Sequence, residues 1–337
     1  MVTDLLRFVV KVWQDAWASA TVEELVCKAP ADMTPYWLCL DAMNLAPVEQ
    51  YFADYLSVLE TRKWQDGSYR CDPLLKSGTI RQLDSLGQYA LRADLKLDDE
   101  KFVDLWLYFL NVGIPLPPNL IVAGTVNMDE TTHGFSRKVI DRAITIDFWV
   151  FYPNDFAGYL EPPTTSHKAL GFPVLSRVTK DDLSTVIADK DGEKSIGFLS
   201  AINAVLKGTP FELAYRALNE LLLAVVCFNP KDEAELQAVW DDFLMSKILP
   251  RIDGDAEKLK SVGDDDKLLA NVEDSSLLTD LLAVIKPQFS VIWSDKRPDL
   301  LRENNDKSVL KVDGRAKQKL EWMQKRLADN GFTTFWP

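Results

Sequence analysis

Histidine is nearly missing from this chain of 337 residues, which has only His133 and His167. Neither has Cys, His or carboxylate neighbours at metal-ligand spacing, so no zinc or similar imidazole-built centre is expected. Cysteine is scarce too. Cys27, Cys39, Cys71 and Cys227 are scattered along the chain and read as reduced cytosolic thiols, not as a disulfide framework. No apolar run approaches the length that spans a bilayer. The opening stretch "MVTDLLRFVVKVWQDAW" has no basic leader and no small-residue cleavage site, and Arg7, Lys11 and Asp15 interrupt it. A cytoplasmic protein with no membrane part is expected. Basic charge is also short, with 38 Lys and Arg against 51 Asp and Glu and a net charge of −13. That excludes general attraction to nucleic acid through the overall field, while a local basic groove or a separate DNA-binding module stays open. The phosphate-loop pattern G-x-x-x-x-G-K-[ST] is missing as well. Its lookalike "DGEKS", residues 191–195, lacks a glycine directly before Lys194 and another five residues further back.

What is present is globular. Hydrophobic residues make up 47% and charged ones 26%, and the length suggests about two domains. Helical spacing of Leu5, Leu6, Val9, Val10, Trp13, Ala16 and Trp17 predicts a helix over 3–17 with Thr3 as its N-cap. "YWLCLD", 36–41, is almost continuously apolar, as a parallel strand covered on both faces is. Pro47 suits the first turn of a helix whose face carries Val48, Tyr51, Phe52, Tyr55, Leu56 and Leu59. A turn around Asp66-Gly67 and a helix near 99–111 follow. "LIVAGTV", 120–126, reads as a second buried strand and "AITIDF", 143–148, as a third. Helices are expected near 182–189, 196–206, 211–227, 232–246, 275–286 and 315–329, with Gly331 as the last C-cap. The fold class is α/β, divided as 1–150 and a loop-rich then helical 151–337.

Several residues stand where chemistry is done. Ligands of open α/β sheets bind at the carboxyl ends of strands, where Asp41 and Asn127 lie. Asp41 is either a carboxylate that holds Mg²⁺ through water or a helix cap. Asn127 either orients a water or starts a turn. Arg137 and Arg142 are either fingers presented to a neighbour's phosphates or surface arginines. Arg216, on an otherwise apolar helix, either reaches a phosphate or snorkels from the helix edge.

Longer stretches favour one reading. "LCLDAMNLAPVEQYFADYLSVLE" resembles the Walker B segment of McrB-like AAA+ NTPases, whose usual form is D-E-M-N-L-A. "PPNLIVAGTVNMDETTHGFSRKVIDRA" resembles their sensor 1 strand and the arginine-bearing segment after it. "PFELAYRALNELLLAV" resembles the sensor 2 helix, and "SKILPRIDGD" with "KLEWMQKRLADNGFTTFWP" resembles the C-terminal region. The resemblance implies an incomplete P-loop NTPase αβα core, truncated at its N-terminus, with a mainly helical lid. By that resemblance Asp41 is the Mg²⁺-coordinating Walker B aspartate and Asn127 is sensor 1. Arg142 and Arg137 are finger candidates, and Arg216 is sensor 2. It also implies Mg²⁺ with GTP or ATP, a homo- or hetero-oligomeric ring, and a McrC-type nuclease partner. DNA would be met indirectly or through a missing module.

Two departures limit the activity expected. Ala42 stands where the family has a glutamate, and a methyl group cannot accept a proton from water. The phosphate loop and its strands, which the family carries upstream, are missing. The chain is therefore expected to be hydrolysis-deficient alone. The alternative is a scaffold component that supplies arginines in trans to a neighbouring NTPase.

Overall fold

The computed structural model describes residues 3–65, 68–126, 135–148, 160–161, 164–169, 175–261 and 276–336. The chain is mixed α/β with small sheets. It divides into two units: Met1–Arg142 with Phe172–Ser176, and Ala143–Gly171 with Arg177–Pro337. The sequence had placed a boundary at 150. Among the described residues, no helix is long and apolar enough to cross a membrane.

The first unit opens with α1, Asp4–Ala16, capped by the Thr3 hydroxyl, which accepts the Leu6 N–H at 3.3 Å. Val9, Val10, Val12, Trp13 and Ala16 of α1 are buried, and the Trp13 indole N–H donates to Pro115 O at 2.7 Å. Strand β1, Tyr36–Leu40, leads to short helices α2, Val48–Tyr51, and α3, Ala53–Leu59. The single helix read from the sequence is broken at Phe52 (φ −116, ψ 8), whose buried ring stacks on Tyr55 with centroids 4.2 Å apart. Helix α4, Ser85–Asp94, and helix α5, Val103–Asn111, precede strand β2, Leu120–Gly124, and the short helix α6, Arg137–Ile140.

β1 and β2 pair in parallel, Tyr36 opposite Leu120 through Leu40 opposite Gly124, and among the described residues they form a sheet of two strands. Two expectations fail here. β1 is not covered on both faces: its burial alternates, Trp37 is 57% exposed and Cys39 is exposed. The third strand expected, 143–148, has no regular structure and joins no ladder among the described residues. Its contacts lie within the second unit: the Thr145 N–H donates to Ser246 O at 3.1 Å, and Asp147 pairs with Lys319 at 2.8 Å.

The second unit packs α7, Glu193–Leu206, α8, Tyr215–Phe228, α9, Glu233–Phe243, and α10, Leu277–Ile285, with a small antiparallel sheet. That sheet sets β3, Arg297–Asn304, between β4, Val309–Val312, and Thr165–His167. Phe198 stacks on Trp240 at 4.6 Å, and the Trp240 indole N–H donates to Ser195 Oγ at 3.0 Å. The last helix, α11, Arg315–Asn330, buries Ala316, Leu320, Met323 and Leu327 at helical spacing. It ends at Gly331 (φ 70), as the sequence predicted. The helix expected over 182–189 shrinks to Lys180–Leu183. Ser184 and Thr185 hydroxyls donate back to Asp181 O and Asp182 O, a local pairing that competes with helix continuation.

Candidate functional site

The candidate site is built where β1 ends. The strand carries Leu40 to its last ladder position, and Thr125, just past β2, ties down the turn that follows. The Thr125 N–H donates to Leu40 O at 2.9 Å, and Thr125 O accepts the Met43 N–H at 2.9 Å. The Thr125 hydroxyl accepts the Ala42 N–H at 2.8 Å and donates to Asp41 Oδ1 at 2.6 Å. One side chain thus orients the carboxylate and shapes the turn around it. Asp41 itself is exposed.

These bonds hold Ala42 in the left-handed region, φ 48 and ψ 48. A residue with a Cβ costs about 1–2 kcal/mol there relative to the right-handed basin. Glycine or asparagine is the cheaper choice, so Ala42 is strained as well as chemically inert. The turn continues as Met43–Leu45, where the Tyr51 hydroxyl donates to Met43 O at 2.7 Å. α2 reaches the arginine segment through Glu49, which accepts the Ser136 N–H at 2.9 Å. That contact holds the Glu49 carboxyl below its ordinary range.

Arg142 does not project freely. Its Nη2 pairs with Glu60 at 2.7 Å, its Nη1 donates to Lys138 O at 2.6 Å, and its side chain is 20% exposed. In this structure it ties the end of α3 to the segment after α6. Arg137 opens α6 and is partly exposed. Arg216 is the exposed second residue of α8, in the second unit. Asn127 and His133 lie outside the described residues. Asp41 and Ala42 share one turn, and Arg137 and Arg142 belong to the same unit.

The family model of a domain of unknown function (DUF8727) matches residues 175–332 of this chain. No curated protein and no solved structure matches it. The matched stretch holds α7 to α11 and Arg216 and leaves out Asp41, Thr125 and Arg142.

The "DGEKS" lookalike has a structural role. The Asp189 carboxylate accepts the Lys194 and Ser195 N–H groups, both at 3.0 Å, at the start of α7. The amides that a phosphate would need are already taken by the protein's own anion. Cys27 is equally unreactive, since burial pushes its thiol up to about 12.

Sequence reasoning missed Thr125 and Glu60. Thr125 carried a signal, a lone hydroxyl in the apolar run "LIVAGTV" close before Asn127. Glu60 carried none, because its pairing with Arg142 spans 82 residues of chain. Among the described residues, no group of three or more acidic, His or Cys side chains can cage a metal ion. Asp41 by itself does not cage a cation, and any cation it holds takes its other ligands from water or from groups outside this turn.

Proposed function

We propose that the chain provides the Walker B, sensor and lid parts of a McrB-like AAA+ NTPase, related to NTP-driven DNA restriction, and that it does not hydrolyse NTP alone. The observation that carries this reading is Asp41, exposed at the carboxyl end of a parallel strand pair and oriented by Thr125 from the neighbouring strand. Carboxyl ends of parallel strands are where open α/β sheets bind ligands. The long resemblance on both strands supports the same reading.

The residues present fit an outer-sphere Mg²⁺. Asp41 Oδ1 accepts from Thr125, and Oδ2 suits a metal-bound water. When bound, Mg²⁺ neutralises charge on the β and γ phosphates of GTP or ATP. The protein's own part is to hold the Asp41 carboxylate in place. Ala42 contributes no base. A two-stranded parallel sheet with a half-exposed face supports an incomplete αβα core, because parallel strands are otherwise covered on both sides. Oligomeric ring assembly, a McrC-type nuclease and indirect contact with DNA belong to this proposal. The alternative, a scaffold lending arginines in trans, is less well supported, since Arg142 is engaged by Glu60 within its own chain.

The test is reconstitution with a polypeptide carrying a phosphate-loop strand and its neighbouring strands from the same family. GTP or ATP is expected to bind the pair and not the chain alone, with binding lost in Asp41→Ala. Ala42→Glu in the pair should raise turnover by about 10²–10⁴-fold, the usual worth of a positioned base. Failure of such pairs to bind either nucleotide, or robust turnover by the chain alone, overturns the proposal.

A further inference from the structure

Beyond α3 the chain forms a short antiparallel hairpin, Lys63–Gln65 against Ser68–Arg70. It sets Trp64 opposite Tyr69, and the two rings meet edge to face with centroids 5.4 Å apart. Tyr69 is buried and its hydroxyl donates to Leu116 O at 2.7 Å, which fixes that ring. Trp64 is half-buried. Its backbone is held by Ser176, whose Oγ accepts the Trp64 N–H at 3.2 Å and donates to Trp64 O at 3.3 Å. Between the end of α3 at Leu59, the hairpin and Leu175 lies a cleft of about 250 Å³. All of these residues belong to the first unit.

The lining is apolar and cationic at once. Leu59, Leu175 and the Trp64 and Tyr69 rings give the apolar part, and Arg62 and Lys63 give the charge. Arg62 is half-buried, yet it pairs with no carboxylate. Its Nη2 donates to Pro118 O at 2.8 Å and its Nη1 to Leu120 O at 3.4 Å, both neutral acceptors, and the rest of its N–H groups stay uncommitted. Lys63, which is exposed, has no carboxylate partner either. Among the described residues no acidic side chain lines the cleft, although acids outnumber bases by 51 to 38 in the chain. A cation taken partly out of water ordinarily has a counter-ion, because an uncompensated charge is costly to desolvate. Here the protein supplies none.

We propose that this cleft binds a small aromatic carboxylate. A guanidinium matches a carboxylate in shape and charge, so Arg62 is the anchor and Lys63 adds attraction from the exposed side. The flat apolar body of the ligand packs against the Trp64 ring and the two leucines. The volume is just under the roughly 300–1,000 Å³ usual for ligand sites, which suits one ring and its acid group. A zwitterionic amino acid is disfavoured, because its ammonium would be repelled by Arg62 and Lys63. This inference does not rest on the proposed NTPase reading, since the cleft shares no residue with the Asp41 turn.

Titration of the full chain with phenylacetate tests it, followed by calorimetry and by the Trp64 indole N–H resonance, which Trp64→Phe assigns. One site is expected, with Kd of about 10⁻⁴–10⁻³ M, the strength open to a ligand this small. Acetate has the charge without the ring, and phenylacetamide has the ring without the charge. Each should bind at least about tenfold more weakly, because each loses one of the two contacts. Arg62→Gln should weaken phenylacetate at least about tenfold as well. Lys63→Glu, at an exposed position that does not threaten folding, should weaken it about threefold or more. Lys207→Gln, exposed in the second unit, should leave binding unchanged. No saturable binding of phenylacetate overturns the inference. So does equal binding of phenylacetamide or of inorganic phosphate, or a phenylacetate affinity that Lys63→Glu does not lower.

Discussion

Asp241 and Asp41 each stand near the end of a structural element, and each accepts hydrogen bonds from a segment far away in sequence. Asp241, in α9, is fully buried. It caps the start of α11 by accepting the Arg315 and Ala316 N–H groups, each at 3.0 Å, and pairs with Arg297 at 3.0 Å. Asp242 completes the group with Arg297 and Arg315. Burial pushes the Asp241 carboxyl up, and the Arg297 charge and the two amides pull against that. Asp41 faces solvent and has Thr125 as its side-chain partner. The first carboxylate is committed to holding its unit together. The second is oriented by one hydroxyl and left accessible, as a ligand-binding group must be.

Breaking the two carboxylates should separate them most clearly. Asp241→Ala leaves Arg297 buried with part of its counter-charge gone and two amides uncapped, and should cost about 3–5 kcal/mol. Asp41→Ala should stay within about 0.5 kcal/mol, as exposed substitutions do. Chemical denaturation of the two variants measures both, and equal losses would erase the distinction. Thr125→Val comes next. It removes the acceptor for Ala42 and the donor to Asp41, and should cost about 1 kcal/mol in the same assay. Ala42→Gly should gain roughly 0.5–1 kcal/mol by relieving the left-handed strain at φ 48. A loss at that position would mean that the Ala42 methyl packs usefully.

The smallest effect is one of pH. Glu49 is held below its ordinary range by the Ser136 N–H. A depressed carboxyl contributes stability that is present above its unfolded-state pKa and lost as pH falls through the lower folded value. The link from α2 to the segment before α6 should therefore hold through mild acid and loosen only below the ordinary glutamate range. The protection of the Ser136 amide, its exchange rate judged against the intrinsic rate at the same pH, should fall there and be full at neutral pH. Glu49→Gln should remove that dependence.

Much of the second unit was legible beforehand. Ala316, Leu320, Met323 and Leu327 mark their face by spacing alone, and Gly331 ends α11 because a left-handed cap favours glycine. β1 and β2 were also legible as strands, from their unbroken apolar runs. Their burial was not. An apolar run reads the same whether one face is covered or two, so the exposure of Trp37 and Cys39 had no signature. The segment 143–148 alternates like a strand, yet a ladder needs a partner edge, and its contacts go instead to Ser246 and Lys319.

The sequence by itself determined the last helix and its glycine cap, that β1 and β2 are strands, that Asp41 follows the first of them, and that Ala42 offers no base. Those properties reside in residue type and short-range spacing. Tertiary structure alone decided that Thr125 orients Asp41, that Glu60 engages Arg142, that Asp189 fills the amides of the phosphate-loop lookalike, and that α4 turns Leu86 and Tyr89 outward while Leu91 faces the core. The first two pairings join groups more than eighty residues apart. The Asp189 cap depends on the backbone directions at the start of α7, and the exposure of α4 depends on which of its faces the rest of the first unit covers. No local pattern encodes that choice, because both sides of the helix carry apolar residues and only packing selects one.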